Sequence, residues 1–256
     1  MMSNQFLALA AATVSLSAGL VHSPQMIDHA QALKGGVTPG DAPGYPITLS
    51  RPGSYRLSSD LVVPPHADGV VVSAPHVTLD LNGHAVIGPV RCVHSEPART
   101  VACSWVVEPS ARAGIDALAA PHSVIRNGAV KGFAGVGIRH GESALIENLE
   151  VSANAGTGIV GSGYRDAGAV RGVLVRHNGG GGIVCDGMTV ERSSFSDNGA
   201  TGVDCRRAVF SDSVSRGNGG YGVADAFKPG LRTIHNRQGA VATAAALRDA
   251  AVATVD

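Results

Sequence analysis

The sequence predicts an all-β fold, a solenoid of short parallel strands, and three features point there. An Asn-to-Gly spacing recurs, β-branched residues stand in fixed columns beside it, and the period is about twenty residues rather than one helical turn. Asn154, Asn178, Asn198 and Asn218 are each followed four residues later by Gly158, Gly182, Gly202 and Gly222. Directly after those glycines stand Ile159, Ile183, Val203 and Val223, and an earlier copy reads Phe133, Gly137, Ile138.

The register extends backwards from the Asn position. Eight residues before it lie Ile125, Ile146, Val170, Val190 and Phe210. Three residues before it lie Val130, Val151, Val175 and Phe195, with Ser215 interrupting the column. Small and polar residues separate these columns, so each unit reads as two or three strands joined by Gly- and Asn-rich bends. One such coil cannot bury its own apolar side chains. Coils stacked about 4.8 Å apart can, because equivalent residues then form a continuous interior. At the bends, Asn amides can bond from coil to coil, and Gly is expected to supply positive φ. Asn154, Asn178, Asn198 and Asn218 are therefore read as a structural ladder at one corner of a parallel β-helix. A six-residue hexapeptide period is absent, and 34 glycines in 256 residues exclude collagen.

On these residues the chain resembles the secreted right-handed parallel β-helix repeat proteins, which share their shape with pectin-degrading enzymes. The resemblance spans residues 47–236, opening with ITLSRPGSYRLSSDLVVP and VVVSAPHVTLDLNGHAVIGP. It implies a right-handed β-helix of about eight coils, about 40 Å long at the usual strand spacing. It does not imply one activity, because the shape hosts lyases, hydrolases, epimerases and non-enzymes.

The ends read differently. Residues 1–23 hold an apolar, uncharged run from Phe6 to Val21 that suits a signal peptide, although Lys34 is the first basic residue; cleavage after Gly19, Ser23 or Ala30 is left open. Residues 24–46 form a cap and lead-in, with a helix expected over 24–34 that buries Met26, Ala30 and Leu33. Residues 237–256 form a second cap, helical or irregular. The expected location is secreted, periplasmic or extracellular, with no membrane span once the signal is removed. Charged residues are 16% of the chain and net charge is zero, which gives no footing for nucleic acid. Oligomeric state is not legible.

Four cysteines fit an oxidising compartment. Cys92 and Cys103 bracket an inserted stretch, and a disulfide would tie it off. Cys185 and Cys205 lie two residues past the anchors Ile183 and Val203, so both point inward on adjacent coils, where a bridge is favoured over a thiol pair. Without a CxxC, or a His pair at ligand spacing beside the cysteines, no metal site is expected. No cofactor is expected either; calcium is compatible with the carboxylates, but GATGVD is followed by GGYGVA, with Ala224 where a ligand should stand.

One column past the anchors, Asp116, Arg139, Val160, Val184, Asp204 and Ala224 face outward, and three past them stand Asp186 and Arg206. Asp186, Asp204 and Arg206 are thus expected to cluster on one face. Two insertions frame it: the disulfide loop with Trp105, and GSGYRDAG with Tyr164, Arg165 and Asp166, which suit stacking and polar contact with a sugar chain. His140-Gly141 resembles a dipeptide of polygalacturonase-like enzymes, but their Asn-Thr-Asp and paired-Asp motifs are missing. Catalytic candidates are therefore weak: Asp186, Asp204, Arg206, Arg139 and His140. The favoured reading is a carbohydrate-engaging surface module whose partner is an extracellular or cell-wall polysaccharide. The alternatives are a lyase or epimerase acting on uronate polymers, and a purely structural or adhesive solenoid.

Overall fold

In a computed structural model, the described residues are 23–104, 112–163, 166–224 and 229–239. The signal-peptide stretch, the C-terminal cap beyond Gly239, Trp105, Tyr164 and Arg165 lie outside them.

The chain winds as a right-handed parallel β-solenoid of about 7 turns. A seven-stranded parallel sheet forms one face. Its anchor column runs Ile47, Val70, Ile115, Ile138, Ile159, Ile183 and Val203, each opposite the next. An isolated bridge from Val203 to Val223 begins an eighth level. A 14-stranded sheet supplies the other two faces. In a late coil these are Thr189–Glu191 and Ser194–Ser196, stacked on Ala169–Arg171 and Leu174–Arg176 below. The column Ile125, Ile146, Val170, Val190, Phe210 pairs rung by rung, as does Val130, Val151, Val175, Phe195, Ser215. These side chains fill the interior. Ser215, the polar interruption, is fully buried and satisfied, donating from Oγ to Gly222 O at 2.7 Å and accepting from Asn218 Nδ2 at 3.1 Å.

The Asn corner forms the ladder expected of it. Nδ2 of Asn154, Asn178 and Asn198 donates to Oδ1 of the next Asn at 3.0 Å, while Oδ1 also accepts the backbone N–H of the residue below at 3.1 Å. Each Nδ2 spends its other hydrogen on a core-strand carbonyl, such as Val175 O for Asn198 at 3.2 Å. Asn218 continues the ladder to Asn236, at 2.8 Å. That last rung departs from the sequence pattern, because only 18 residues separate it from Asn218 and Ala240 rather than Gly stands four residues after Asn236.

Glycine at this corner has a different role from the one expected. The left-handed residue is the one before each Asn: Ala153, His177, Asp197, Gly217 and His235, with φ of 54, 55, 55, 62 and 50°. The anchor glycines are instead required by close approach. A methyl group on Gly158 would stand 2.3 Å from Val175 Cγ1 and 2.8 Å from Gly182 O of the next coil.

The N-terminal cap also differs from expectation. Gln25–Ile27 is a strand that adds to the sheet edge beside Gly53–Leu57, and only His29–Lys34 is helical. Asp28 caps that helix by accepting from Gln31 N at 2.6 Å. Ala32 is buried, whereas Met26 and Leu33 are 50% and 55% exposed. The open backbone edge of the first coil outcompetes helix propensity around Met26, because an added strand satisfies it. Above the cap, Asp80 joins successive coils by accepting from Arg56 at 3.2 Å, Arg126 at 3.3 Å and Asn127 at 3.1 Å. Burial works against its ionisation, but the bonds from Asn127, Asn82 and Arg56 and the Arg126 charge hold its carboxyl below the usual range.

Asn198→Ala removes four buried hydrogen-bonding partners at once. Equilibrium denaturation should show a loss of about 3 kcal/mol or more, and Asn198→Asp, which sets a buried carboxylate oxygen against the acceptors Val175 O and Asn218 Oδ1, should lose at least as much.

Candidate functional site

The candidate face is built by two neighbouring strands, Ile183–Asp186 and Val203–Arg206. Their register places Val184 beside Asp204, Cys185 beside Cys205 and Asp186 beside Arg206. Ile183, Cys185, Val203 and Cys205 point into the core, and the two cysteines form a disulfide across adjacent coils, with Cα atoms 4.4 Å apart. Asp204 and Arg206 are exposed, and neither pairs with another charge among the described residues. With Gly163, Val184, Cys185 and Asp186 they line a shallow cleft of about 230 Å³.

The three expected residues line one cleft, but Asp186 pairs with Arg207 rather than with Arg206. It is 5% exposed, and its carboxylate accepts from Nε of Arg207 at 2.9 Å and from Nη2 of the same residue. The chain turns at Arg207 in the left-handed region, φ 48°, which carries that guanidinium over Asp186 and leaves Arg206 facing solvent. The same bond raises the Arg207 pKa above its ordinary value.

Asp166, expected as a sugar contact on an exposed loop, is fully buried. Its Oδ1 accepts from Ser162 N at 2.9 Å and Ser162 Oγ at 2.6 Å, and its Oδ2 accepts from Asp186 N at 2.8 Å. Asp166 thus serves as an internal acceptor, for Ser162 on its own segment and for the backbone of the next coil. This carboxylate shapes the rim of the cleft rather than touching a ligand.

The remaining candidates divide between surface and interior. Arg139 is paired with Asp116 at 2.9 Å, two coils before Ile183 in the outward column. His140, the next residue, points inward and is fully buried. Its Nδ1 lies 3.0 Å from Gly141 O, while Nε2 has no hydrogen-bond partner. A methyl group on Gly161 would stand 2.9 Å from His140 Cε1 and 2.1 Å from Asp166 Oδ2, so Gly161 lets these two side chains approach. Burial pushes the His140 pKa below its ordinary value, against the opposing pulls of the Gly141 carbonyl and the Asp166 charge. His140 is thus sealed from any ligand on the face.

The chemistry open to this face follows. Hydrolysis of a glycosidic bond takes two carboxyl groups, one on each side of the scissile bond. Among the described residues lining this cleft, one accessible carboxylate, Asp204, stands beside one unpaired guanidinium, Arg206, because Asp186 is occupied by Arg207 and Asp166 by Ser162 and the Asp186 backbone. That pair suits recognition of hydroxyl and carboxylate groups.

The inserted hairpin, Arg91–Ser95 with Thr100–Ser104, is closed by the Cys92–Cys103 disulfide. It lies over the Asn corner. Cys92 Sγ is 3.2 Å from Ala153 O, and Arg99 Nη1 donates to His235 O. The two insertions thus stand at the corners bounding the candidate face.

His140 gives stability a pH dependence of definite sign. A histidine held neutral by burial titrates normally only after unfolding, so stability is full above the unfolded value of 6.5 and falls as pH drops towards the folded value. Up to about 1.4 kcal/mol is lost per pH unit in that window. Denaturation midpoints compared at about pH 7.5 and about pH 5.5 should show that loss, and His140→Gln should reduce it.

Residues 113–237 match the family described as "Right handed beta helix region". No curated protein matches the chain, and no solved structure does. The stacked anchors, Asn ladder and parallel sheets of residues 113–237 agree with that match: this part of the chain has the right-handed β-solenoid fold.

Proposed function

We propose that the chain is an exported, non-catalytic carbohydrate-engaging β-helix that lays an extended uronate-containing polysaccharide along its seven-stranded face. One observation carries this reading: among the described residues lining the cleft, Asp204 and Arg206 are the exposed, unpaired charges, while the Asp186 and Asp166 carboxylates are already engaged. A guanidinium takes a uronate carboxylate in a bidentate pair, and a carboxylate beside it accepts sugar hydroxyl hydrogens. The parallel sheet repeats its rungs about every 4.8 Å, a flat track that an extended polymer can follow. Export is supported by two disulfides, which persist in oxidising compartments. No helix among the described residues is long and apolar enough to cross a membrane.

The test is titration of the purified chain with polygalacturonate and alginate, followed by calorimetry and by ultraviolet absorbance of unsaturated sugar ends. Saturable binding is expected without new absorbance, and Arg206→Ala should weaken it at least about ten-fold, with Asp204→Ala weakening it less. Absorbance that grows with time and is lost in both variants would replace this reading with a lyase. Absence of binding to any uronate polymer would leave a structural or adhesive solenoid.

A further inference from the structure

The hairpin brings a second set of polar side chains to the corner ahead of the Asn ladder, away from Asp204 and Arg206. The left-handed residues of that corner form an outward column, Ala153, His177, Asp197, Gly217 and His235. The hairpin runs along this column. Cys92 meets Ala153, the His94 ring stacks on His177 with centroids 5.5 Å apart, and Arg99 reaches His235. Alternate hairpin residues therefore face the coils, while Val93 between them is 64% exposed. Glu96 and Asp197 complete the set: one ligand atom from each of His94, Glu96 and Asp197 lies within 4.8 Å of the other two.

We propose that His94, Glu96 and Asp197 bind one divalent transition-metal ion of the zinc type, clasping the hairpin to the coil beneath it. The His94 side chain is 12% exposed, and its Nε2 is shielded from solvent yet makes no hydrogen bond. Its nearest charged neighbour is Glu96 Oε1, at 4.0 Å. An imidazole nitrogen kept from water without a partner costs free energy, and a metal ion would use its lone pair. Among the described residues, neither the Glu96 nor the Asp197 carboxylate accepts a hydrogen bond; Glu96 faces His94, and Asp197 lies close enough to His177 to act on its charge. The donor set, one imidazole and two carboxylates, matches zinc or manganese better than calcium, which takes six to eight oxygens. Tetrahedral zinc with ligand bonds of about 2.0–2.2 Å needs donor atoms about 3.3–3.6 Å apart. Glu96, 63% exposed at the hairpin turn, has the freedom to close that difference. Three protein ligands leave coordination positions for water. His94 and Glu96 are two residues apart in one strand and turn, whereas Asp197 is 101 residues further on than Glu96, so no local motif announces the site.

The test uses the full chain, free of affinity tag, disulfides intact and stripped with chelator. Cobalt(II) is titrated as the visible-spectrum probe and zinc as its competitor. One ion per chain is expected, with calcium failing to compete. His94→Ala, Asp197→Asn and Glu96→Gln should each weaken binding at least about ten-fold. His122→Ala, in the separate stacked pair His76–His122 with centroids 4.9 Å apart, should leave it unchanged. Zinc should also slow amide hydrogen exchange in residues 91–104. The proposal is overturned if wild-type protein shows no saturable binding, if the three ligand variants bind as tightly as wild type, or if His122→Ala loses binding equally. Glu96→Gln alters only an exposed turn, so it decides the matter even if the other two variants misfold.

Discussion

Congruence between neighbouring coils is the constraint on which the rest of this molecule depends. Each coil offers its backbone groups to the coil above and below, so every rung must repeat the path of the last. Corners are where such a path is most costly, because the strands break there and buried N–H and C=O groups lose their ladder partners. Asn meets that cost at one corner with a single side chain. Its Oδ1 takes an N–H and an amide hydrogen from the rung below, and its Nδ2 serves the next rung and a core carbonyl. Asp has no donor and Ser has too short a reach to do all four. Small residues follow from the same congruence. Where coil backbones approach at Gly158 and Gly182, a methyl group would meet the next coil's carbonyl at 2.8 and 2.4 Å.

Congruence also explains what was legible in the sequence. A stacked architecture writes its contacts as columns, so Ile183 over Val203, Val170 over Val190 and Asn178 over Asn198 could all be read by counting. Strand alternation likewise put Cys185 and Cys205 side by side, facing in. The reading failed where a residue answers to something other than its rung. Alternation turns Asp186 outward, yet Asp166 takes its backbone N–H and the bend at Arg207 supplies its carboxylate's partner. Asp166 sits in a polar, Gly-rich insertion with every compositional mark of exposure, but its carboxylate turns in to accept from Ser162 and from the next coil's backbone. Met26 and Leu33 have helical spacing, but spacing says nothing about a free sheet edge waiting for a strand.

The candidate site inherits the same division. Residues on the rungs have little freedom, since each must match its neighbours in shape. Asp116 and Arg139 illustrate this: one rung apart in the outward column, they pair with each other at 2.9 Å. Asp204 escapes because the rung below offers Val184, and Arg206 escapes because Arg207 has already taken Asp186. A free acid beside a free base on a repeat protein is therefore a product of broken repetition. Such breaks concentrate where the loop 161–168 interrupts the spacing.

The hairpin breaks repetition in another direction. In a simple solenoid each coil contacts only its neighbours, so stability is close to a sum of nearest-neighbour terms and the ends can fray separately. The Cys92–Cys103 hairpin leaves its own place in the winding and travels along the corner. It touches the coil of Ala153 through Cys92, the coil of His177 through His94 and the coil of His235 through Arg99. Two glycines of the Asn corner make room for it: a methyl on Gly179 would stand 3.1 Å from Cys103 Sγ, and one on Gly219 would stand 2.6 Å from Arg99 O. These contacts couple coils that are not adjacent. Fraying at the His235 end must release the hairpin as well as the last rung, which adds a cost that the repeat alone would not impose. The Cys185–Cys205 disulfide acts on the same region by closing a 20-residue separation in the unfolded chain, a constraint of about 3 kcal/mol by loop entropy. The C-terminal coils that carry Asp204 and Arg206 are thus tied from inside by a disulfide and from outside by the hairpin. A binding face needs that rigidity, since an ordered ligand track gains affinity only if the protein does not also have to be ordered on binding.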